Sequence, residues 1–268
     1  MASSENIYLN TWLTAPACYS SIMPFQYKKY ANQVAKAVKH YWTTLDSQSA
    51  KQQGGDADRG GRSAVTGGKQ MDGFCVVIKQ VLKDAGLQDL EIFLDERLEL
   101  PGYFRPTKNW DLLVVSQGTL VAAMEFKSQR GPSFGNNFNN RTEEAIGTAH
   151  DLLIAFRDGA LGKGAPRPWL GWVMLLEHCP KSIKPVKVSE PHFKVFPEFK
   201  GASYAKRYEI LLQQLVRERL FDQVCFIMAT ESDGLAGKFI EPAADLSMQS
   251  FLAGLSGRAD VLVASRKK

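Results

Sequence analysis

The chain has 268 residues, 44% of them hydrophobic and five of them tryptophan, so it can bury a large core. Thirty-three lysines and arginines against 28 aspartates and glutamates give a net charge of +5, which favours an anionic partner. No stretch has the roughly 18 consecutive apolar residues of a membrane-spanning helix, and the N-terminus lacks a secretory signal pattern. These features exclude a membrane protein and predict a cytoplasmic one.

Cysteine spacing argues against a zinc site. The four cysteines are scattered, no Cys-x-x-Cys pair is present, and Cys75 and Cys225 lie within apolar runs. This pattern is typical of reduced core thiols in a cytosolic protein.

The first third of the chain alternates helical patterns with polar segments. Apolar residues recur at three- and four-residue steps over about 25–45, which predicts a helix. Residues 46–68 are rich in Gly, Ser and Gln and predict a loop, either a plain connector or a segment ordered by a ligand. The next predicted elements are a helix from about 68 to 85 that stops at Gly86, a short strand over 91–94 and a turn-rich loop over 100–109.

Residues 109–129, NWDLLVVSQGTLVAAMEFKSQ, predict a β-hairpin of two apolar strands. A polar loop follows, and Asn140 with Glu143 three residues later resembles a capping box for a helix that ends near Gly159. The remaining predicted elements are buried strands over 169–177 and 223–230, a long basic loop over 180–201 with room for an edge strand, and helices over about 203–221 and 245–255.

Helices interleaved with a central hairpin and later buried strands indicate an α/β fold of three layers, with a mixed sheet between helices. We expect a single domain, with an N-terminal helical region over about 1–66 and a core over about 67–260.

The turn of the hairpin decides which charged residues share a face. A three-residue loop, Ser116–Gln117–Gly118, places Asp111 opposite Ala123, because Gly118 suits the left-handed third position. Alternation then puts Glu125, diagonal to Asp111, and Lys127 on the same face. A two-residue loop would shift the register by one residue and separate Asp111 from Glu125.

Two carboxylates and a lysine at one end of an apolar hairpin suggest a metal site. Facing carboxylates repel unless a cation joins them, and oxygen ligands suit a hard ion such as Mg2+. Such an ion activates water for phosphodiester cleavage, and Lys127 balances the remaining charge and contacts the attacking water. The alternative is structural, with Asp111 capping the strand entry and Glu125 pairing with Lys127 at the surface.

The pattern Asp, hairpin, then Glu-x-Lys resembles the signature of PD-(D/E)xK nucleases. NWDLLVV followed by AAMEFKSQRGPSFGNNFNNRTEEAIGTAHDL is similar to the XhoI-type type II restriction endonucleases, most densely over about 67–177. One departure is that Trp110, not proline, directly precedes Asp111. The resemblance aligns Asp111, Glu125 and Lys127 with the family's two acids and lysine, and Asp111 and Glu125 with its metal ligands.

The resemblance implies a restriction-endonuclease-like core and a homodimer that cleaves double-stranded DNA. It implies Mg2+ as the cofactor, the palindrome CTCGAG or an extended version as the target, and 5′ overhangs as the product. It also implies a DNA methyltransferase as a functional partner that protects bacterial host DNA.

DNA contacts are harder to assign, because base reading and phosphate binding use overlapping residue types. The candidates flank the hairpin or lie in the basic loop: Arg105, Lys108, Asn136, Asn137, Asn139, Asn140, Arg141, Lys184 and Lys187. Helix capping and turns explain several of the asparagines equally well. Glu144 and Asp72 are candidate accessory acids, with a helix-terminal or solvated position as the alternative.

Two other functions remain open at this point. A junction resolvase or repair nuclease with the same signature would cleave by structure and ignore sequence. A DNA-binding protein whose carboxylates only support the fold would not cleave at all.

Overall fold

A computed structural model of the protein describes residues 25–53 and 69–266. Helix α1, Lys28–Gln53, buries Tyr30, Val34 and Val38 along the predicted apolar stripe. The predicted loop over 46–68 is wrong for its first part, because α1 continues to Gln53. The rest of that loop lies outside the described residues.

Helix α2, Asp72–Asp84, follows a short 3-10 turn over Lys69–Met71. It ends where predicted, and Gly86 adopts the left-handed backbone (φ 98°) that a helix stop of this kind requires. Strand β1, Ile92–Phe93, confirms the predicted short strand.

The segment over 100–109, predicted as a loop, instead forms most of a small hairpin. Strand β2, Glu99–Pro101, pairs antiparallel with β3, Thr107–Asn109, in a two-stranded sheet of its own. The loop prediction was wrong because the pairing depends on a tertiary anchor, Asp151, which lies far along the chain.

The central sheet has five strands in the order β1-β4-β5-β6-β7. Besides β1, the strands of this sheet are β4, Leu112–Ser116; β5, Thr119–Gln129; β6, Trp169–Glu177; and β7, Gln223–Ala229. Strands β1, β4 and β5 pair antiparallel, whereas β5, β6 and β7 pair parallel. The predicted mixed sheet is therefore confirmed.

Helix α3, Phe134–Arg157, begins earlier than predicted. The capping box at Asn140 was wrong, because Asn140 lies inside the helix and Ser133 precedes its first residue. Phe134 is buried, and the Gln129 side chain donates a hydrogen bond of 3.2 Å to the Phe134 carbonyl. Tertiary contacts thus set this helix start.

The remaining helices are α4, Pro180–Ile183; α5, Tyr204–Arg217; α6, Glu231–Leu235; and α7, Met248–Arg266. Helix α7 extends well beyond the predicted end because Arg266 pairs with Glu91 and Ser116. The basic loop over 180–201 contains α4 and a 3-10 turn over Pro197–Phe199 in place of an edge strand. Among the helices in the described ranges, none combines the length and the hydrophobicity that a membrane span requires.

Each face of the central sheet packs against helices. One apolar cluster joins the sheet to α1, α2 and α7, and a second joins it to α3 and α5. The three-layer α/β arrangement follows from this packing. The charged end of the β4–β5 hairpin lies on the side of the second cluster.

Candidate active site

The turn between β4 and β5 has two residues, not the three that were predicted. Gln117 and Gly118 both have positive φ, 49° and 75°, as a tight two-residue hairpin turn requires. Ser116 pairs with Thr119, and Val115 pairs with Leu120. This turn alone would place Asp111 and Glu125 on opposite faces.

A β-bulge at Val121 restores the alignment. The register shifts between Val115, which pairs with Leu120, and Val114, which pairs with Ala122. Val121 and Ala122 accordingly both pack in the cluster against α1, α2 and α7. One extra residue reverses the side-chain alternation of β5 from this point onward.

Beyond the bulge, Ala123 pairs with Leu113, so Asp111 and Glu125 each lie two residues further toward the open end of the hairpin. Leu112 pairs with Met124, and the Asp111 backbone N–H donates a hydrogen bond of 3.2 Å to the Met124 carbonyl. The predicted pairing of Asp111 with Ala123 was wrong, because Ala123 pairs with Leu113, whereas the predicted convergence of the two acids and Lys127 is present in the structure.

Lys127 lies among three carboxylates. Its Nζ is 3.1 Å from Asp111 Oδ2, contacts Glu125 Oε2, and is 3.6 Å from Oε1 of Glu144. The Phe126 backbone N–H also donates a hydrogen bond of 2.7 Å to Asp111 Oδ2. The orientation of Asp111 is therefore set by both the backbone and the lysine of β5.

A second lysine completes the cluster from the β2–β3 hairpin. Lys108 Nζ contacts Oε1 of Glu125, donates a hydrogen bond of 2.7 Å to the Asn109 carbonyl, and lies 5.1 Å from the centre of the Trp110 ring. Lys108 was predicted to contact DNA, and the structure places it on the acid of the Glu-x-Lys motif. Sequence reasoning missed this contact.

Burial makes the charges of this cluster interdependent. The Glu125 side chain is 1% exposed and the Lys127 side chain 14%. Burial raises the pKa of the Glu125 carboxyl, and the opposing effect of Lys127 does not cancel the rise. Burial alone would lower the pKa of Lys127, but the Glu125 and Asp111 carboxylates outweigh it and raise that pKa. Glu125 therefore depends on neighbouring cations to stay ionised.

Asp111 and Lys127 of the cluster line a cleft of about 930 Å3 between the hairpin, α2 and the start of α3. Its walls include three predicted site residues beside the hairpin: Asp72 on α2, and Asn137 and Arg141 on α3. Burial raises the pKa of Asp72, and the nearby Asp95 carboxylate contributes to the rise. Arg141 contacts Glu144, which links the cleft wall to Lys127.

Two other predicted DNA contacts, Arg105 and Asn139, have protein partners. Arg105 Nε donates a hydrogen bond of 2.7 Å to Asp151, and the arginine side chain remains 42% exposed. Asn139 donates one of 2.8 Å to Glu143 on the next turn of α3. Asn140 is an exposed residue of the same helix.

A second groove, of about 470 Å3, brings Asn136 near the basic loop. Its lining includes Lys181, Lys184 and Lys187, which we call the groove lysines. All three are exposed, and none has an ion-pair partner among the residues that the structure describes. Five of the predicted contacts thus fall into two sets, with Asn137 and Arg141 in the cleft and Asn136, Lys184 and Lys187 in the groove.

Asp151 is a second residue that sequence reasoning missed. Its side chain, 5% exposed, accepts hydrogen bonds of 2.7 Å from the Tyr103 and Phe104 backbone N–H groups and from Arg105 Nε. Those contacts hold the β2–β3 loop and hence the strand that carries Lys108. The sequence offered one signal, since Asp151 lies at helical spacing from other residues of the buried helix face, next to Leu152 and three residues after Thr148.

The donor set fits a hard divalent cation that keeps other ligands. In the described ranges, no three His, Cys, Asp or Glu residues form a metal-binding group. Asp111 and Glu125 both contact the Lys127 ammonium, and Glu125 also contacts that of Lys108. Mg2+ commonly takes one or two carboxylates and completes its coordination with water and substrate phosphate.

A mixed sheet that carries two acids and a lysine on an antiparallel hairpin is the arrangement of the restriction-endonuclease-like nucleases of the PD-(D/E)xK class. Comparison with known families narrows this class to one family. The family described as restriction endonuclease XhoI matches residues 50–241. The chain therefore belongs to the XhoI family of type II restriction endonucleases.

Three relatives support this assignment. The type II restriction enzyme BstVI of Geobacillus stearothermophilus is 54% identical over 203 residues, covering 74% of this chain and 90% of BstVI. XhoI of Xanthomonas vasicola is 48% identical over 72% of the chain and 78% of its own length. AbrI of Azospirillum brasilense is 49% identical over 64% of this chain and 78% of its own length. No solved structure matches.

The protein is thus an endonuclease whose substrate is DNA. Family membership decides against the non-catalytic DNA-binding alternative and against the structure-selective nucleases.

Proposed function

We propose that the protein hydrolyses both strands of double-stranded DNA at the palindrome CTCGAG, or an extended version of it, in a Mg2+-dependent reaction that leaves 5′ overhangs. The observation that carries the proposal is the convergence of Asp111, Glu125 and Lys127 beside a cleft that Asp111 and Lys127 line. The similarity to XhoI supports the choice of target.

Asp111 and Glu125 are the proposed metal ligands. The bound ion would lower the pKa of a water molecule and stabilise negative charge on the phosphate being cleaved. Burial of Glu125 strengthens every charge interaction made in its surroundings.

Lys127 is the proposed third catalytic residue. Its ammonium is held by carboxylates at the mouth of the cleft, where it can orient the attacking water or stabilise charge on the scissile phosphate. Glu144 is proposed as the acid that positions Lys127, given the 3.6 Å separation. Asp72, which lines the cleft from α2, is the other proposed accessory acid.

DNA is proposed to run from the cleft to the second groove along the start of α3. Arg141 and Asn137 line the cleft, whereas Asn136, Lys184 and Lys187 line the groove. The proposed flanking contacts are Arg105, through its exposed guanidinium, and the exposed Asn139 and Asn140. Arginine and asparagine suit base edges, and exposed lysines suit phosphates.

A palindromic target calls for two-fold symmetry, so we propose that the protein acts as a homodimer with one cleft per strand. A methyltransferase that modifies the same palindrome is the proposed functional partner, and the bacterial cytoplasm, where host DNA lies, is the proposed location.

A digestion experiment tests the proposal. The purified protein is incubated with linear DNA that contains one CTCGAG, and with matched DNA in which one base pair of the site is changed. We expect two fragments from the first DNA with Mg2+, none from the second, and none when EDTA replaces Mg2+.

Sequencing the fragment ends tests the finer claims. Ends with 5′ overhangs at the site support the proposal, whereas blunt ends or 3′ overhangs contradict the stated geometry of cleavage. Fragments formed in EDTA would refute the metal requirement. A Glu125→Ala variant that still cuts would refute the proposed site.

A further inference from the structure

Both oxygens of Glu125 are occupied by protein cations. Lys108 contacts Oε1 from the β2–β3 hairpin, and Lys127 contacts Oε2 from β5. Since the carboxylate is 1% exposed, little solvent reaches it. A divalent ion that binds Glu125 therefore competes with these ammonium groups, because like charges on one carboxylate repel.

The two lysines differ in how firmly they are held. Lys127 lies on a central strand, and Asp111 and Glu144 remain as partners if Glu125 is lost. Lys108 lies on the short two-stranded sheet, and Glu125 is its one carboxylate partner among the residues described. Its other contacts, the Asn109 carbonyl and the Trp110 ring, carry no full charge. Lys108 is therefore the ammonium group that a divalent cation displaces more easily from Glu125.

We propose that Lys108 is the resident counter-ion of Glu125, which holds the metal-free site assembled and is displaced from Oε1 when a divalent cation binds. This inference rests on the proposed metal-dependent function. An ammonium is a compact point charge on a flexible stem, so it can fill a cation position and leave it without rearranging a strand. Lys108 thereby weakens metal binding while it stabilises the empty site.

Mg2+ titration of the DNA-free protein tests the competition. With Lys108→Met, isothermal titration calorimetry should show Mg2+ binding roughly tenfold tighter than in the wild type, since a competing cation is lost. Lys108→Arg, which keeps the charge, should not tighten binding. Unchanged or weaker binding in Lys108→Met overturns the proposal.

Lys29→Met is the matched control. Lys29 pairs with Asp84 at 2.8 Å and lies 5.5 Å from the Tyr30 ring, so the change removes the same charge and the same kinds of contact outside the cleft lining. Its Mg2+ affinity should equal that of the wild type. Equal tightening in both variants would show an effect of net charge alone and would overturn the proposal.

Amine labelling of the wild-type protein gives a second test that needs no substitution. Mass spectrometry after brief reaction with an amine reagent should show Lys108 labelled several-fold more in Mg2+ than in EDTA, with Lys29 unchanged. Equal labelling of Lys108 in both conditions overturns the proposal even if Lys108→Met does not fold.

The outcomes separate this inference from the proposed function. If wild-type protein neither binds Mg2+ nor cuts DNA, the proposed metal-dependent function has failed. If it binds Mg2+ and cuts DNA while both Lys108 tests are negative, the function stands and the role of Lys108 is refuted.

Discussion

The site lysines and the groove lysines differ in what holds them. Lys108 and Lys127 are 16% and 14% exposed and contact a buried carboxylate. The groove lysines are exposed and have no carboxylate partner in the part of the chain that is described. Pairing with a buried carboxylate restricts where an ammonium can lie, which suits Lys127 to act next to the reacting groups. Exposed lysines suit attraction to a phosphate backbone, which tolerates variable geometry.

Removing the shared partner of the site lysines should have the largest effect. Glu125→Gln should lower the single-turnover cleavage rate about a thousandfold or more, because a metal ligand contributes several kcal/mol to the transition state. Glu91→Gln is the control, since Glu91 is also a buried glutamate paired with a cation, Arg266, away from the cleft lining. Folded Glu91→Gln should cut at nearly the wild-type rate. Comparable losses in both variants would mean that any buried glutamate matters equally.

Replacing one lysine from each set should give unequal losses. Lys127→Met should lower the single-turnover rate about a hundredfold, since it removes a charge and donor next to the reacting groups. Lys184→Met removes the same charge from the groove and should change that rate less than about threefold at saturating DNA. Rates measured side by side decide the matter, and similar losses would remove the distinction between the two sets.

Asp151 keeps the hairpin of Lys108 in place, and its loss should appear as instability. Arg105 and the Phe104 and Tyr103 N–H groups outweigh burial and hold the pKa of Asp151 below its usual range. Asp151→Asn should lower the free energy of unfolding at neutral pH by about 2 kcal/mol, as charged hydrogen bonds are lost.

The pH dependence of that loss has a definite sign. Because the folded pKa of Asp151 is depressed, its stabilisation is complete above the ordinary aspartate pKa of about 4 and is lost as pH falls through the folded value. Urea unfolding of both proteins should therefore show curves that converge in acid. A constant gap between them down to low pH would contradict the ionic role.

Charge removal from the groove should have the smallest effect. Replacing Lys181, Lys184 and Lys187 together with alanine should weaken DNA binding about tenfold and reduce the slope of log affinity against log salt by about two to three. Filter binding or fluorescence anisotropy at several salt concentrations measures both quantities. Lys163→Ala, in an exposed loop outside both linings, provides the control. An unchanged slope in the triple variant would mean that the groove does not contact phosphates.

The positions of the central strands along the chain and the charged end of the hairpin were predictable, because apolar runs and turn residues are local signals. The bulge was not, since Val121 and Ala122 are both apolar and each suits either face of a strand. The role of Lys108 was hidden for another reason. Its position depends on Asp151, more than 40 residues along the chain, and no local pattern connects them.

The start of α3 shows the same limit. Asn140 and Glu143 have cap-like spacing, but burial of Phe134 and its contact with Gln129 place the helix start about two turns earlier. Local capping preferences are worth about 1 kcal/mol, and burying a large side chain outweighs them.

Because of the Val121 bulge, the number of residues between Asp111 and Glu125 decides whether the two acids share a face. Adding or removing one residue anywhere between Asp111 and Glu125 would turn the acid of β5 away from its partner, whereas a change of two would leave them facing each other. A relative with a turn one residue longer can keep the same chemistry by dropping the bulge. The length of the turn and the number of bulges then have to change together. A designer who replaces the turn of this enzyme has to keep the total number of turn and bulge residues odd.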